Sequence, residues 1–375
     1  MITTRALDTL LVFNLATDAD DPILGFTTNW INRLATHVRA LDVITMRAGR
    51  LEVADNVRVF SVGKEDDLSE SQRAVVFYQL LSTCVRERTR ENGRGYDACF
   101  AHMMPLFAAM SAPLLIPRRI PITLWYTHRQ ISRTLQIATR VSHRIVTAVP
   151  DSFPIPTPKK RAIGHGIDTE FFAPKTAFDS IGAMSPRAEI IHVARLSPIK
   201  HQATLIRAIA TIPNSRALLI GEALGVEGVN YRRSLEQLAR SAGVTDRITF
   251  AGAQNADGVR AAFRTGTIAV NLSPPGLFDK AALESMAVTT PTLVTSAAFD
   301  DLLGEYVPLL RIDAPDDVMA LASRLRELIA LPLDARKRIG RALRERVVAA
   351  HSLDRLIERL ISVLRTGETP DDPVS

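Results

Sequence analysis

Short apolar segments alternate with longer amphipathic segments along most of the chain. In the first half, runs of β-branched and apolar residues predict strands at 9–15, 42–46, 57–62, 98–102, 122–128 and 144–148. Apolar residues at helical spacing predict helices between several of these strands, at 26–40, 70–91 and 130–142. This alternation predicts a parallel sheet that helices cover on both faces.

The alternation of strand and helix patterns returns in the second half of the chain, after a segment of different composition. Residues 173–188 are rich in Pro, Gly, Ala and Ser and lack periodicity, which predicts an interdomain linker. Further strands are predicted at 189–194, 217–222, 247–252, 267–272 and 292–296, and helices at about 202–210, 231–242, 257–265 and 280–288. Residues 316–365 are helical in pattern. We therefore predict an α/β protein with an N-terminal domain at 1–172, a second domain at 189–350, and a C-terminal helix and tail at 351–375.

Composition supports two globular domains. The chain has 375 residues with 46% hydrophobic content, which is ample for two cores. Cys84 and Cys99 show no metal-ligand spacing, so we expect both to be core residues in a reducing compartment. Residues 1–18 do not resemble a signal peptide, and no long uninterrupted apolar run follows. We expect a soluble, cytoplasmic protein.

The positive charge is concentrated in one window. The whole chain has a net charge of +6, whereas residues 98–167 alone carry +8, with Asp151 as the single acid. The basic residues of the window are Arg118, Arg119, Arg129, Arg133, Arg140, Arg144, Lys159, Lys160 and Arg161. They indicate either a solvated basic face or an anionic partner, such as a lipid-linked acceptor or the inner face of a membrane in peripheral contact. Nucleic acid is excluded as a preferred partner because aromatic residues do not alternate with the basic ones.

Several common enzyme signatures are absent. The sequence has no G-x-G-x-x-G after a strand, no P-loop and no G-x-S-x-G, which removes the usual marks of dinucleotide oxidoreductases, P-loop enzymes and α/β-hydrolases. The DADD segment at 18–21 is interpreted as an acidic loop after the first strand and not as a metal cluster. We predict no metal site.

Two segments of the second domain carry candidate chemistry. In HVARLSPIKHQATLIRA (192–208), Arg195 closes a strand and Lys200 precedes a helix, so the pair can meet the charge of a diphosphate leaving group. In SPPGLFDKAALESM (273–286), a helix follows Asp279, whose side chain most simply caps it. The first helical turn, with Lys280 and the backbone amides of Ala281 and Ala282, also suits a bound phosphate.

These segments resemble, in matching order, the motifs of retaining glycosyltransferases of family 4 (glycosyl transferases group 1). ARLSPIKHQATLIRA, the run from LLIGE through GVTDRITFAG, and GLFDKAALESMAVTTPTLVTS carry the resemblance, which covers most of the second domain. GHGIDTEFF (164–172) and WYTH (125–128) extend it into the first domain. The resemblance implies the GT-B fold: two Rossmann-like, doubly wound domains facing a central cleft, with C-terminal helices.

The resemblance also implies roles for individual residues. It makes Arg195 and Lys200 the diphosphate clamp of a nucleoside-diphosphate sugar and Glu284 the acceptor of the ribose hydroxyls. His128 is expected near the anomeric centre. The remaining expected donor-binding residues are Gly25, Glu222, Gln254, Gly276, Phe278, Lys280, Ala281 and Ala282, and the acceptor-side residues are His102 and Arg129.

The sequence departs from the family pattern at the start of the motif Glu-x7-Glu. Gly276 stands in place of the first glutamate, and Asp279 stands where the family prefers glycine. Asp279 is therefore expected either to cap the helix or to reach the transferred sugar in place of the lost glutamate. The predicted function is metal-independent, retaining sugar transfer without a cofactor, from a sugar nucleotide to an anionic, lipid-linked or glycan acceptor. The alternatives are a catalytically silent partner subunit and another GT-B enzyme such as a sugar-nucleotide epimerase.

Overall fold

The computed structural model describes residues 7–21, 24–128, 130–174 and 187–370. The chain divides into two compact units, one formed by Met1–Gly166 with Leu353–Ser375 and the other by Ile167–Ser352. The C-terminal helix thus belongs to the first unit and does not follow the second as a separate element. Most of the predicted linker, at 175–186, lies outside the described residues.

The first unit is built on a seven-stranded sheet in the order β3-β2-β1-β4-β5-β6-β7, with every neighbouring pair parallel. Its strands are β1 (Thr9–Thr17), β2 (Ala40–Ala48), β3 (Val57–Ser61), β4 (Ala98–His102), β5 (Ile122–Trp125), β6 (Arg144–Thr147) and β7 (Lys160–Ala162). The six predicted strands are confirmed, and β7 was not predicted. The predicted end of β5 at residue 128 is wrong, because the strand ends at Trp125.

In the described part of the first unit, five helices cover this sheet. They are α1 (Phe26–Ala35), α2 (Glu70–Asn92), α3 (Pro105–Leu115), α4 (Arg133–Val141) and α13 (Leu353–Thr366). A capping box starts α2, in which the Ser69 hydroxyl accepts from the Gln72 amide and the Gln72 side chain accepts from the Ser69 amide. Helix α13 packs its apolar side into the same core as β1 and α1, which explains why it belongs to this unit. Cys84 and Cys99 are buried in the core, as predicted.

A buried ion cluster ties β2 to its neighbours in the first unit. Asp42 is completely buried and accepts hydrogen bonds from Arg58 at 2.8 Å, from Arg88 at 2.7 and 2.8 Å, and from the Tyr96 hydroxyl. Burial alone would raise the pKa of this carboxyl, but the hydrogen bonds outweigh burial and lower the pKa below its ordinary value. The cluster is structural, because its members are already satisfied by one another.

The second unit contains a five-stranded parallel sheet in the order β10-β9-β8-β11-β12. Its strands are β8 (Ala188–Val193), β9 (Ser215–Ile220), β10 (Ile248–Gly252), β11 (Ile268–Asn271) and β12 (Thr292–Val294). Its helices are α5 (Gln202–Ala210), α6 (Gly225–Ser241), α7 (Ala256–Thr265), α8 (Lys280–Ala287), α9 (Asp300–Leu303), α10 (Val307–Leu310), α11 (Val318–Ala330) and α12 (Leu333–His351). The predicted second doubly wound domain is confirmed.

The strand order of the second unit determines where its two candidate segments meet. Strands β8 and β11 are parallel neighbours, so the loops that leave their carboxyl ends start side by side. The loop after β8 leads through Lys200 into α5, and the loop after β11 leads through Asp279 into α8. The fold therefore brings together residues that are 79 positions apart in sequence.

Candidate functional site

The centre of the candidate site is an ion pair between Lys200 and Asp279. Lys200 Nζ lies 2.6 Å from Asp279 Oδ2 and 2.9 Å from the Ser273 hydroxyl. The same carboxylate oxygen accepts from the Ser273 hydroxyl and from Asn271 Nδ2, the latter at 3.2 Å. Only 16% of the lysine side chain and 25% of the aspartate side chain are exposed, so the pair is partly shielded from water.

This pairing answers whether Asp279 caps α8. Asp279 occupies the N-cap position, but its side chain accepts no hydrogen bond from the helix. The prediction of side-chain capping is therefore wrong, because the carboxylate turns to Lys200 instead. Burial alone would raise the pKa of this carboxyl, but the ion pair and the two other hydrogen bonds outweigh burial and lower it below its ordinary value.

The first turn of α8 places further charges near this pair. Lys280 Nζ lies 3.0 Å from the Glu284 carboxylate one turn later, and Glu284 is buried. The Ala282 amide donates to the Asp279 carbonyl at 3.2 Å, so this amide already has a hydrogen-bond partner within the turn. Ala281 follows Lys280 in the same turn and is half-buried. Glu284 thus lies one turn beyond the start of α8, with a cation beside its carboxylate.

Arg195 is the exposed cation of the site. It follows the carboxyl end of β8, and its backbone carbonyl accepts a 3.0 Å hydrogen bond from the buried Gln202 side chain. Within the described ranges, its guanidinium has no ion-pair partner. Arg195 therefore differs from Lys200, whose ammonium is already paired with a carboxylate.

Glu222 and Gln254 lie on the loops that follow β9 and β10. Both side chains are exposed, and Gln254 donates to the Ala251 carbonyl at 2.9 Å within its own turn. Gly221, just before Glu222, has φ +150°, and a Cβ there would lie 1.9 Å from the Ala194 carbonyl oxygen. The absence of a side chain at Gly221 is what allows the ends of β8 and β9 to approach each other.

Gly276 and Phe278 have mainly structural contacts. Gly276 adopts φ +78°, and its amide donates to the Ser296 hydroxyl at 3.1 Å. Phe278 is buried, with its ring 4.4 Å from Phe299 and 5.0 Å from His351 between centroids. The expectation that Phe278 contacts a donor is not supported by this packing, because its ring faces the core of the second unit.

His192 belongs to the neighbourhood of the ion pair and was missed by the sequence reasoning. It lies on β8, is buried, and its Nδ1 has no hydrogen-bond partner among the residues that the structure describes. Burial, together with nearby Lys200, lowers the pKa of His192 to about 4, so the ring is neutral at pH 7. The signal for it was its position at the strand end, three residues before Arg195.

In the first unit, His102 is the last residue of β4 and lies among aromatic rings. Its ring is 4.8 Å from Trp30, 6.1 Å from Phe26 and 6.1 Å from Trp125 between centroids. Burial and the neighbouring His165 lower the pKa of His102 to about 4. The predicted acceptor-side histidine is therefore a neutral residue in an aromatic surrounding at the carboxyl edge of the sheet.

The other candidate residues of the first unit are spread over separate loops. His128 is exposed three residues beyond β5, and its Nδ1 accepts from the Gln130 amide at 3.0 Å. Arg129 lies outside the described residues. Gly25 precedes α1, where a Cβ would lie 2.7 Å from the Asp21 carbonyl oxygen, so it permits close approach of its own loop. Asp21, in the DADD segment, pairs with Arg47, which fits an acidic loop held by strand β2.

The family comparison supports the interpretation of the second unit. Residues 175–346 match the model of the family described as glycosyl transferases group 1. D-inositol 3-phosphate glycosyltransferase of Mycobacteroides abscessus is 27% identical over 157 residues, which are 40% of this chain and 35% of that protein. The enzyme of the same name from Mycolicibacterium paratuberculosis is 26% identical over 196 residues, which are 50% of this chain and 42% of that protein. The matched part thus spans well under half the length of these curated relatives.

Solved structures share the fold over nearly the whole chain. Sucrose-phosphate synthase from Thermosynechococcus elongatus superposes with a TM-score of 0.76 at 18% identity and covers 96% of this chain and 98% of its own. HepE from Anabaena, in complex with UDP and glucose, has a TM-score of 0.72 at 16% identity over 95% of this chain and 99% of its own. The chain therefore has the GT-B fold, and residues 175–346 match the glycosyl transferases group 1 model. The resemblance inferred from the sequence motifs is confirmed.

Proposed function

We propose that the protein is a glycosyltransferase that moves a sugar from a nucleoside-diphosphate sugar to an acceptor. The observation that carries the proposal is the cluster of Arg195, Lys200 and the first turn of α8 at adjoining strand ends of a glycosyl transferases group 1 domain. Fixed cations beside a helix N-terminus are suited to a diphosphate. HepE, which shares the fold, has been solved with UDP and with UDP-glucose, which favours a uridine nucleotide as the first donor to test.

The proposed reaction retains the anomeric configuration and needs neither metal nor cofactor. Arg195 and Lys200 take up the charge that develops on the departing diphosphate, and Glu284 accepts the ribose hydroxyls. The proposed reaction places no protein nucleophile and follows a front-face route, in which the departing phosphate itself takes the acceptor proton. His128 is proposed to lie near the anomeric centre and His102 on the acceptor side, where a neutral His102 contributes shape and no charge.

The proposed acceptor is anionic, either lipid-linked or a glycan. The basic window of the first unit supports this class, because it carries nine cations and one acid. Across the residues that the structure describes, no helix is both long and apolar enough to cross a membrane. The proposal includes a peripheral contact with an anionic membrane surface, through which a lipid-linked acceptor would be reached and which the basic window supports.

Turnover with a panel of UDP- and GDP-sugars tests this function. We expect the wild-type protein to release nucleoside diphosphate by transfer or slow hydrolysis, and Lys200→Gln to reduce that release at least tenfold, since it removes one charged contact to the leaving group. Arg207→Gln, which alters an exposed cation of α5, is the matched control and should keep full activity.

Two other outcomes would assign other functions. Binding of a nucleoside diphosphate without release from any sugar nucleotide would support a catalytically silent partner subunit, which the loss of the glutamate at Gly276 also favours. Conversion of a sugar nucleotide into its epimer without transfer would identify an epimerase. Absence of nucleotide binding by the folded protein would refute the glycosyltransferase proposal.

A further inference from the structure

Helix α3 exposes an apolar face. Leu106 and Pro113 lie two turns apart on its outer side and are exposed, Leu106 by 43%, while Met110 between them is half-buried and also packs against the core. Ile116, which follows the helix, is 42% exposed. The helix contains no charged residue at all, so this outer face lacks the polar side chains that normally face water. The sequence pattern could not reveal it, because an all-apolar helix has no polar period.

The neighbouring helix α4 adds arginines beside this apolar face. Helix α3 packs against α4, and both helices connect consecutive neighbours in the order β4-β5-β6, which places them on the same side of the sheet. Arg133 and Arg140 lie two turns apart and are exposed, as is Ile137 between them at 49%. Within the described ranges, neither arginine has a hydrogen bond or ion pair through its side chain.

Several other cations of the basic window are used within the protein. Lys159 Nζ donates to the carbonyls of Thr139, Arg140 and Ser142 at the end of α4, with distances of 3.2, 2.9 and 2.8 Å. The side chain of Lys160 donates to the backbone carbonyl of Pro150, and the side chain of Arg161 donates to the backbone carbonyl of Pro158. The segment at 158–161 (PKKR) therefore stabilises the end of α4 and its flanking loops, which makes it a poorer candidate for membrane contact than α4 itself.

We propose that the outer faces of α3 and α4 form a docking surface for an anionic lipid leaflet. The surface combines the apolar residues Leu106, Ile116 and Ile137 with the arginines Arg133 and Arg140. Apolar side chains that enter the headgroup region and cations that meet anionic headgroups are the two contributions that peripheral binding requires. The inference rests on the proposed function for its biological purpose, since it supplies the membrane contact, but it does not depend on the nucleotide site.

Co-sedimentation with phospholipid vesicles tests the surface. We expect the wild-type protein to sediment with vesicles of phosphatidylcholine and phosphatidylglycerol at low salt, and to be released as salt rises. The double variant Arg133→Gln, Arg140→Gln should bind about 25-fold more weakly, which is roughly fivefold for each charge near an anionic surface. The double variant Leu106→Gln, Ile137→Gln should weaken binding to a similar extent through the loss of apolar contact.

Matched control variants test whether vesicle binding depends on this surface or only on the number of exposed charged and apolar residues in the protein. Arg233 and Arg240 on α6 are exposed with the same seven-residue spacing, and Arg233→Gln, Arg240→Gln should leave binding unchanged. Val226 and Met319 are 78% and 69% exposed in the second unit, and Val226→Gln, Met319→Gln is the apolar control. Thermal melting of each variant checks that it is folded.

Three results would overturn the inference. They are equal sedimentation with neutral and anionic vesicles, an equal loss in the α6 control, and no sedimentation of the folded protein at low salt. The last result would leave a protein partner as the occupant of this surface. Nucleotide titration on the same samples distinguishes this failure from a failure of the proposed function, because the donor site lies in the other unit.

Discussion

Replacing Asp279 by asparagine should tighten the binding of a nucleoside diphosphate. In the structure, the Asp279 carboxylate already forms an ion pair with Lys200, the cation that the proposed function assigns to the diphosphate. A phosphate that approaches this ammonium therefore meets a neutralised cation and a fixed negative charge. Asparagine keeps the size and an oxygen acceptor for Ser273 and Lys200 but removes that charge.

The size of the effect follows from the contact distances. Lys200 Nζ lies 2.6 Å from the carboxylate. A phosphate oxygen bound on the far side of the ammonium then lies roughly 5 Å from the carboxylate, where two unit charges at an effective dielectric constant of about 20 repel by about 3 kcal/mol. Because the freed lysine also loses part of its positioning, we expect a net gain of at least about 1.4 kcal/mol, or tenfold in Kd.

Isothermal titration with UDP and GDP measures this change. Asp279→Asn and Asp279→Gly, which restores the residue type that the family prefers, should both bind more tightly than wild type. Asp257→Asn, which removes a carboxylate from the first turn of α7, is the control and should bind like wild type. Equal or weaker binding of the diphosphates by folded Asp279→Asn would refute the reasoning. Weaker binding of the sugar nucleotides alone would instead indicate that Asp279 contacts the sugar.

Three further predictions concern the stability and protonation of the fold. Asp42→Asn should lower the free energy of unfolding by about 3–5 kcal/mol in urea titrations, because it removes the buried charge that balances the Arg88 and Arg58 guanidinium groups, which keep only the more exposed Glu91 and Glu87 as ion-pair partners. Asp8→Asn at an exposed pair should cost under about 1 kcal/mol. His102 should titrate near pH 4 by NMR, because burial lowers its pKa in the folded state below the unfolded value of 6.5. The free energy of unfolding should therefore decrease as the pH falls from 6.5 towards 4, where the unfolded chain takes up a proton that the folded protein does not. A measured pKa near 6.5 would contradict the burial argument. Gly340→Ala should lower the melting temperature markedly, because the new Cβ would lie 1.9 Å from the Thr289 carbonyl oxygen, and an unchanged melting temperature would show that α12 shifts freely.

The sequence pattern predicted most strands of both sheets, because buried parallel strands leave continuous apolar runs. Strand β4 matches its predicted bounds, whereas β5 ends three residues early, since the polar residues of the WYTH segment belong to the loop beyond the strand. Helix α3 was missed for the opposite reason: its residues are apolar on every side, so they carry no helical period. Strand β7 is three residues long and half-buried, which leaves no pattern to detect.

The sequence predicted which residues belong to the candidate site but not which of their side chains bind one another. Motif resemblance placed Lys200 and Asp279 in the same site, and the neighbouring strands β8 and β11 explain why they meet. The sequence could not show that the two side chains bind each other, because that depends on a loop conformation and on competition for one carboxylate. Ser273 and Asn271, which complete the cluster, have no motif of their own and are recognised only from their hydrogen bonds.

Isothermal titration of wild type and Arg195→Gln with UDP and GDP tests the central claim most directly, namely that the second unit binds the diphosphate of a sugar nucleotide. We predict that the wild type binds at least one of the two diphosphates. Arg195→Gln should weaken that binding by about 1.5–3 kcal/mol, the range for a hydrogen bond to a charged group, while Arg207→Gln on α5 should leave it unchanged. No binding of either diphosphate by the folded wild-type protein at millimolar concentration would contradict the account.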